Sequence, residues 1–230
     1  MKHARTVLLA AVFVVSCFVT SGLAAEFGLN KPRTTAVNWG NGKVYFFKGN
    51  EYIRWDIKAD KADPGYPKAV NPTWSGLPWT DGIDAAVTWD NGKAYFFKGN
   101  EYVRWDINAD RADPGYPKPI HPTWSGLPWA GGIDAVVDWG NGKVYFFKGN
   151  EYVRWDIKAN RADPGYPKSV YPTWPGIIWP AGIDAVANWG NGKVYFFKGN
   201  EYIRWDINAD RADPGYPKPF NGNTWPGLWK

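Results

Sequence analysis

Apolar and polar positions alternate along this chain in short blocks, with no helical stripe. A short apolar run beginning near Ala36 ends at Trp39, and Gly40-Asn41-Gly42 breaks it. Lys43 to Lys48 then reads Lys-Val-Tyr-Phe-Phe-Lys, Gly49-Asn50 breaks the run again, and Glu51-Tyr52-Ile53-Arg54-Trp55-Asp56-Ile57 follows. Short runs rich in β-branched and aromatic residues, separated by Gly and Asn, predict strands joined by hairpins. The expected strands are Ala36 to Trp39, Lys43 to Lys48 and Glu51 to Ile57. Asn41-Gly42 suits a type I′ turn, which needs positive φ at both central residues, and Gly49-Asn50 suits a type II′ turn, which wants Gly first. The second turn sets a register: Lys48 faces Glu51, Phe47 faces Tyr52, Phe46 faces Ile53 and Tyr45 faces Arg54. An ion pair would then sit at the turn, with aromatic and β-branched pairs behind it. Val44 to Phe47 is apolar at consecutive positions, so both faces of the sheet should be covered. A fourth, outer strand is weakly marked near Lys61 to Asp63, after which Asp63-Pro64-Gly65-Tyr66-Pro67 is expected to turn the chain away.

The same pattern is written four times. Gly40 to Ile57 returns letter for letter at Gly190 to Ile207, and nearly so at Asp90 to Ile107 and Gly140 to Ile157. Trp39, Trp89, Trp139 and Trp189 stand fifty residues apart, as do Trp55, Trp105, Trp155 and Trp205. A period near 50 built from short strands and turns points to propeller blades, because helical repeats of that length would need amphipathic helices. One such unit cannot bury both of its apolar faces alone. Four in a ring bury one another's, which makes the expected fold class all-β, a four-bladed β-propeller.

Composition agrees. The 230 residues include 16 Trp, 13 Tyr and 12 Phe, which excludes a disordered or collagen-like chain and assigns the 26 Gly and 19 Pro to turns. The first 25 residues read differently: Lys2 and Arg5 precede an apolar run from Val7 to Val19, and small residues follow to Ala25. That is the pattern of a secretory signal peptide, with cleavage after Ala24 or Ala25 and a secreted, extracellular product. Two alternatives are an uncleaved anchor, for which the run is shorter than the ~20 residues of a span, and a lipoprotein box at Val14-Val15-Ser16-Cys17 with Cys17 acylated. Cys17 is the only cysteine, so a processed chain has no disulfide and no thiol chemistry. Loss of Lys2 and Arg5 takes the formal charge from +5 to +3, with Lys and Arg recurring singly in each repeat. This is too slight to argue for nucleic acid or an anionic membrane as a partner, and neither is expected.

The unit from Ile83 to Trp129 resembles the hemopexin repeat. The features that match are the Asp84-Ala85 opening, the Gly92-Lys93-Ala94-Tyr95-Phe96-Phe97-Lys98-Gly99 hairpin, the Tyr102-Val103-Arg104-Trp105 strand, and the Asp113-Pro114-Gly115-Tyr116-Pro117 turn followed by Trp124-Ser125-Gly126. The resemblance implies one hemopexin-like propeller over residues 26–230, with blades near 34–82, 83–132, 133–182 and 183–230. It also implies a cation, Ca²⁺ or Na⁺, held in the central channel by main-chain carbonyls at Thr34, Asp84, Asp134 and Asp184, since backbone oxygens suit a hard cation. Animal members of the family commonly tie the first and last blades with a disulfide. Here closure must rest on packing of Thr224 to Trp229, and the odd residues Arg33 to Ala36 and Asn221-Gly222-Asn223 lie where the ring would seal.

Other chemistry is sparse. His3 and His121 are the only histidines, which disfavours heme, and His121 reads as an exposed loop residue. The acidic trio Asp56, Asp60 and Asp63 lacks EF-hand spacing and reads as turn chemistry at the blade edge. Arg54, mid-strand between aromatic residues, reads as structural, through cation–π contact or a nearby Asp. Trp74, Trp124 and Trp174 either plug the gaps between blades, the favoured reading, or stack on sugars in a four-site lectin. No zinc helix, serine elbow or phosphate loop is written, and Asn71-Pro72-Thr73 is blocked as a glycosylation sequon. The expected function is therefore a non-enzymatic binding module that engages an extracellular protein or ligand on one face. A carrier or storage protein for a small ligand, heme or polyamine, is the alternative.

Overall fold

In a computed structural model, which describes residues 34–89 and 91–229, Gly49 takes φ +57° and opens the tight turn its sequence calls for. Strands β1 (Thr34–Asn38), β2 (Lys43–Lys48) and β3 (Glu51–Asp56) run antiparallel. Lys48 lies opposite Glu51, Phe47 opposite Tyr52, Phe46 opposite Ile53 and Tyr45 opposite Arg54, the register that turn dictates. The turn between β1 and β2 departs from expectation. Trp39 N–H donates to Lys43 O at 2.9 Å, so three residues make the connection. Positive φ falls on Gly40 (+78°) and Gly42 (+79°) and spares Asn41, because glycine enters that region at no steric cost. Asn38 Oδ1 accepts the Gly40 N–H at 2.9 Å and holds the loop in place.

The outer edge also differs from expectation. It carries two short pieces, β4 (Lys61–Ala62) opposite Asp56 and Trp55, and β5 (Lys68–Ala69) opposite Tyr52 and Glu51. Asp63 to Pro67 bulges outward between them and returns the chain to the same edge. Pro64 and Pro67 have no N–H to continue a ladder, so the strand splits there. The unit recurs as β6 to β10 (Ala85–Trp89, Lys93–Lys98, Glu101–Asp106, Arg111–Ala112, Lys118–Pro119). It recurs again as β11 to β15 (Ala135–Asp138, Lys143–Lys148, Glu151–Asp156, Arg161–Ala162, Lys168–Ser169) and as β16 to β20 (Ala185–Asn188, Lys193–Lys198, Glu201–Asp206, Arg211–Ala212, Lys218–Pro219). Four five-stranded sheets result, and apart from one turn at Ile120–Thr123 the described chain is all-β. It is a four-bladed β-propeller.

Alternation along the strands explains the packing. Tyr45, Phe47, Tyr52 and Arg54 share one face of the first blade, while Val44, Phe46, Ile53 and Trp55 share the other. Neighbouring blades diverge away from the axis, and a tryptophan fills each wedge. Trp74 lies 5.2 Å from Phe47 and 5.5 Å from Tyr52 in its own blade, and 5.5 Å from Phe96 and 5.2 Å from Trp105 in the next. Trp124 and Trp174 repeat this and are buried. These indoles are plugs, with no face open to a sugar. Trp225 does the same between Tyr202 (5.2 Å) and Trp55 (4.9 Å), sealing the last blade on the first without a covalent bond. The backbone follows suit: Ala112 N–H donates to Ser75 O at 3.1 Å, and Ala62 N–H to Pro226 O at 3.0 Å at the closure. The leader expected over residues 1–25, with Cys17 and His3, lies outside the described residues.

Candidate binding surfaces

The recurring charged residues of each repeat are used within the blade. Lys43 Nζ reaches Asp56 at 2.7 Å and Asp63 at 3.0 Å, and Arg54 Nε reaches Asp63 at 2.5 Å. The Arg54 guanidinium also lies 5.4 Å from the Tyr66 ring centre, with Lys68 Nζ at 5.0 Å. Hydrogen bonds from Lys43 and from the Ala59 N–H hold the Asp56 carboxyl down at about 2, and Asp56 and Asp63 raise Lys43 in turn. Burial pushes Asp63 up, but its bonds to Lys43 and Arg54 outweigh that and leave it lowered. Asp60 supplies a left-handed turn residue, φ +51°. The same cluster recurs in the other three blades, so the acidic trio and Arg54 are structural, as expected. Among the described residues no three His, Cys, Asp or Glu side chains are grouped to hold a metal.

Thr34 opens β1, and Asp84, Asp134 and Asp184 immediately precede β6, β11 and β16. The Asp84 N–H donates to Phe97 O at 2.9 Å, while its carboxylate accepts the Gly99 N–H at 2.8 Å and lies 3.5 Å from Lys98 Nζ. Asp134 and Asp184 repeat this with Gly149 and Lys148 (3.0 Å), and with Gly199 and Lys198 (2.7 Å). The carboxylates thus staple each inner strand to its hairpin. This corrects the ion pair expected between lysine and glutamate across the turn. The lysines of blades two to four go to the aspartates, Lys48 lies over Trp229 at 5.7 Å, and Glu51 accepts the Trp229 indole N–H at 3.1 Å.

The central channel holds a cavity of about 170 Å³, lined by Ala36, Ala86, Val136 and Val186 and, at its polar end, by Asn38, Thr88, Asp138 and Asn188. Thr34 and the three aspartates are not part of this lining; they sit at the other end of the same strands. Three hydrogen bonds link the polar residues in an arc. Thr88 Oγ1 donates to Asn38 O at 2.8 Å, Asn38 Nδ2 to Asn188 O at 2.8 Å and Asn188 Nδ2 to Asp138 O at 3.1 Å. Sequence reasoning passed over this polar arc, although a signal was present: the position reads Asn, Thr, Asp, Asn directly after small apolar residues of the inner strands.

A second variable region is the loop that leaves each blade's outer edge for the next inner strand. Its backbone anchors on the Gly49-Asn50 end, where Val70 N–H donates to Asn50 O at 2.8 Å. Asn71, His121, Tyr171 and Asn221 occupy one position, and all four are exposed, His121 as expected. The third blade's loop, Tyr171-Pro172-Thr173-Trp174-Pro175-Gly176-Ile177-Ile178-Trp179-Pro180-Ala181, is the most apolar. Tyr171 at 40% and Ile178 at 52% exposure are the large hydrophobic side chains that face solvent among the described residues.

Comparison with known proteins agrees with this architecture. A plant albumin from Cicer arietinum showing hemagglutination is 26% identical, with a TM-score of 0.72 over 85% of this chain and 96% of that one. A plant lectin with two metal binding sites, also from Cicer arietinum, is 27% identical, with a TM-score of 0.72 over 84% of this chain and 95% of that one. Mouse matrix metalloproteinase-25 is 40% identical over 57 residues, 24% of this chain, so the match spans only 9% of the protease. The sequence model of the hemopexin family matches all four repeats, over residues 34–78, 83–128, 133–177 and 183–230, and the chain belongs to that family.

Proposed function

We propose that this protein is a secreted, non-enzymatic binding module whose loop face engages an extracellular protein, centred on the third blade. The observation that carries this reading is the exposed apolar pair Tyr171 and Ile178 on the face where the four repeats differ. Apolar side chains left in water at the rim of a rigid scaffold mark contact surfaces. Albumin and lectin relatives of the same fold support binding over catalysis. The test is a loop graft: residues 171–181 are replaced by the first blade's 71–81, a sequence of equal length that already fits this frame. Both proteins are used as bait in native extracellular fluid. The proposal expects one component held by the wild type and lost from the graft at unchanged melting temperature; identical retention by both overturns it.

A cation in the channel belongs to the same proposal. The carboxylates of Asp84, Asp134 and Asp184 are committed to lysine and hairpin N–H groups, so what these residues and Thr34 offer an ion is main-chain oxygen, which suits Ca²⁺ or Na⁺. A melting temperature raised by Ca²⁺ and returned by EDTA is the expected result. A curve unmoved by either removes the ion. The channel also favours a second reading for small ligands, of restricted kind. Its 170 Å³ falls below the ~300–1,000 Å³ of a drug-sized pocket, so it admits an extended polyamine beside Asp138 but not a porphyrin. Saturable heat on titration with spermidine, lost in Asp138→Ala, would support the carrier reading.

A further inference from the structure

The outer edges of the blades carry positive charge that the fold leaves uncompensated. Asp56 and Asp63 are both taken by Lys43 and Arg54, and the same holds in every repeat. What remains at the edge is an exposed cation in β4 and its equivalents, Lys61, Arg111, Arg161 and Arg211, none with a carboxylate in ion-pair reach among the described residues. A second row is Lys68, Lys118, Lys168 and Lys218, equally exposed, each lying about 5 Å from a tyrosine ring centre. Lys68 pairs opposite Tyr52 and Lys61 opposite Asp56, so both project from one face of the sheet, about 13 Å apart at ~3.3 Å per residue.

Blade identity sharpens the picture. Counting the neighbouring turn, the first edge has Lys58, Lys61 and Lys68 against Asp60, and the second and fourth have two cations against one aspartate. The third has Lys158, Arg161 and Lys168 with Asn160 in the acidic position. Lysines on an edge strand also discourage pairing with another chain. That task needs a charge on the edge; it does not need Asp56 and Asp63 both drawn to Lys43 and Arg54.

We infer that the circumference of the ring is a docking belt for a linear sulfated polysaccharide, with the third blade as its strongest station. Sulfate groups spaced along a flexible chain match cations spaced around a convex rim, each contact adding to the avidity of the whole. Nucleic acid fits less well, because the edge tyrosines are covered by Arg and Lys and offer no open ring for base stacking. The belt is independent of the apolar loop proposed above, and the loop graft leaves it intact.

The test uses the full chain, a heparin-derived dodecasaccharide and a duplex DNA of matched charge, each titrated at 0.15 M salt and again at higher salt. Saturable, salt-sensitive binding of the dodecasaccharide at least tenfold tighter than the duplex is expected. Lys68→Gln, Lys118→Gln, Lys168→Gln and Lys218→Gln combined should weaken it at least tenfold. If that variant fails to fold, Lys158→Asn with Asn160→Asp, which copies the second blade's own residues, should weaken it about threefold. Wild-type binding that is absent, equal for DNA, or unchanged in whichever variant folds would overturn the inference.

Discussion

Asp63 shows how much of this fold rests on one side chain. It accepts from Lys43 and Arg54 at once, so Asp63→Asn leaves two cations facing a neutral amide. A charge-assisted hydrogen bond is worth about 1.5–3 kcal/mol; one such variant should cost about 2 kcal/mol in urea denaturation, with Asp163→Asn matching it. The pH dependence follows. Asp56 and Asp206 are held down at about 2, below their unfolded values, so their contribution is present above about pH 4 and fades as pH falls toward 2. Lys43 is raised by Asp56 and Asp63, and burial pushes Tyr52 up to about 12. Both contributions are present below about pH 10 and are lost above it. The urea midpoint should therefore be flat from about pH 5 to 9 and fall on either side. A midpoint that keeps rising into acid would contradict the ion clusters.

At the scale of the element, the hairpin is the unit the sequence writes most plainly. Gly49-Asn50 and the aromatic run behind it determine strand limits and cross-strand partners, because that turn admits one register. The Asn41-Gly42 reading failed because Gly40 offered a second inexpensive left-handed position and the loop grew to three residues. The split edge strand was hidden for another reason: β4 and β5 are two residues each, too short to leave a periodic trace. Glycine at the wedge carries a tertiary constraint. A Cβ on Gly76, at φ +94°, would come within 2.7 Å of the Ala112 Cβ, so Gly76→Ala should destabilise by more than the ~1 kcal/mol of an ordinary backbone mismatch. Gly65→Ala, with positive φ but nothing within 4 Å, should cost less. Equal costs would remove the close-approach argument.

For the whole molecule, the period in the sequence announced a ring, and the wedge tryptophans explain how it holds. If the ring is closed, Trp225→Ala at the seam and Trp74→Ala between the first two blades should each cost about 3–5 kcal/mol and agree within about 1 kcal/mol. A much smaller cost at Trp225 would mean an open seam. The candidate sites were less legible. Repeats make constant positions conspicuous, and here the constant charged residues turned out to brace each blade internally. The channel relay of Asn38, Thr88 and Asn188 and the apolar third loop lie at positions that vary. Their meaning depends on which end of the blade they occupy, and only the assembled sheet supplies that.

The central claim is that the loop face around the third blade is where this protein meets its partner. Hydroxyl-radical footprinting of the partner-bound chain tests it most directly. Protection concentrated at Tyr171 and Ile178, the exposed apolar pair, with Pro128 and Trp129 of the second blade less affected, is the predicted result. Protection at the opposite end, on the Asn41, Asn141 and Asn191 hairpins, with Tyr171 and Ile178 still reactive, would contradict it.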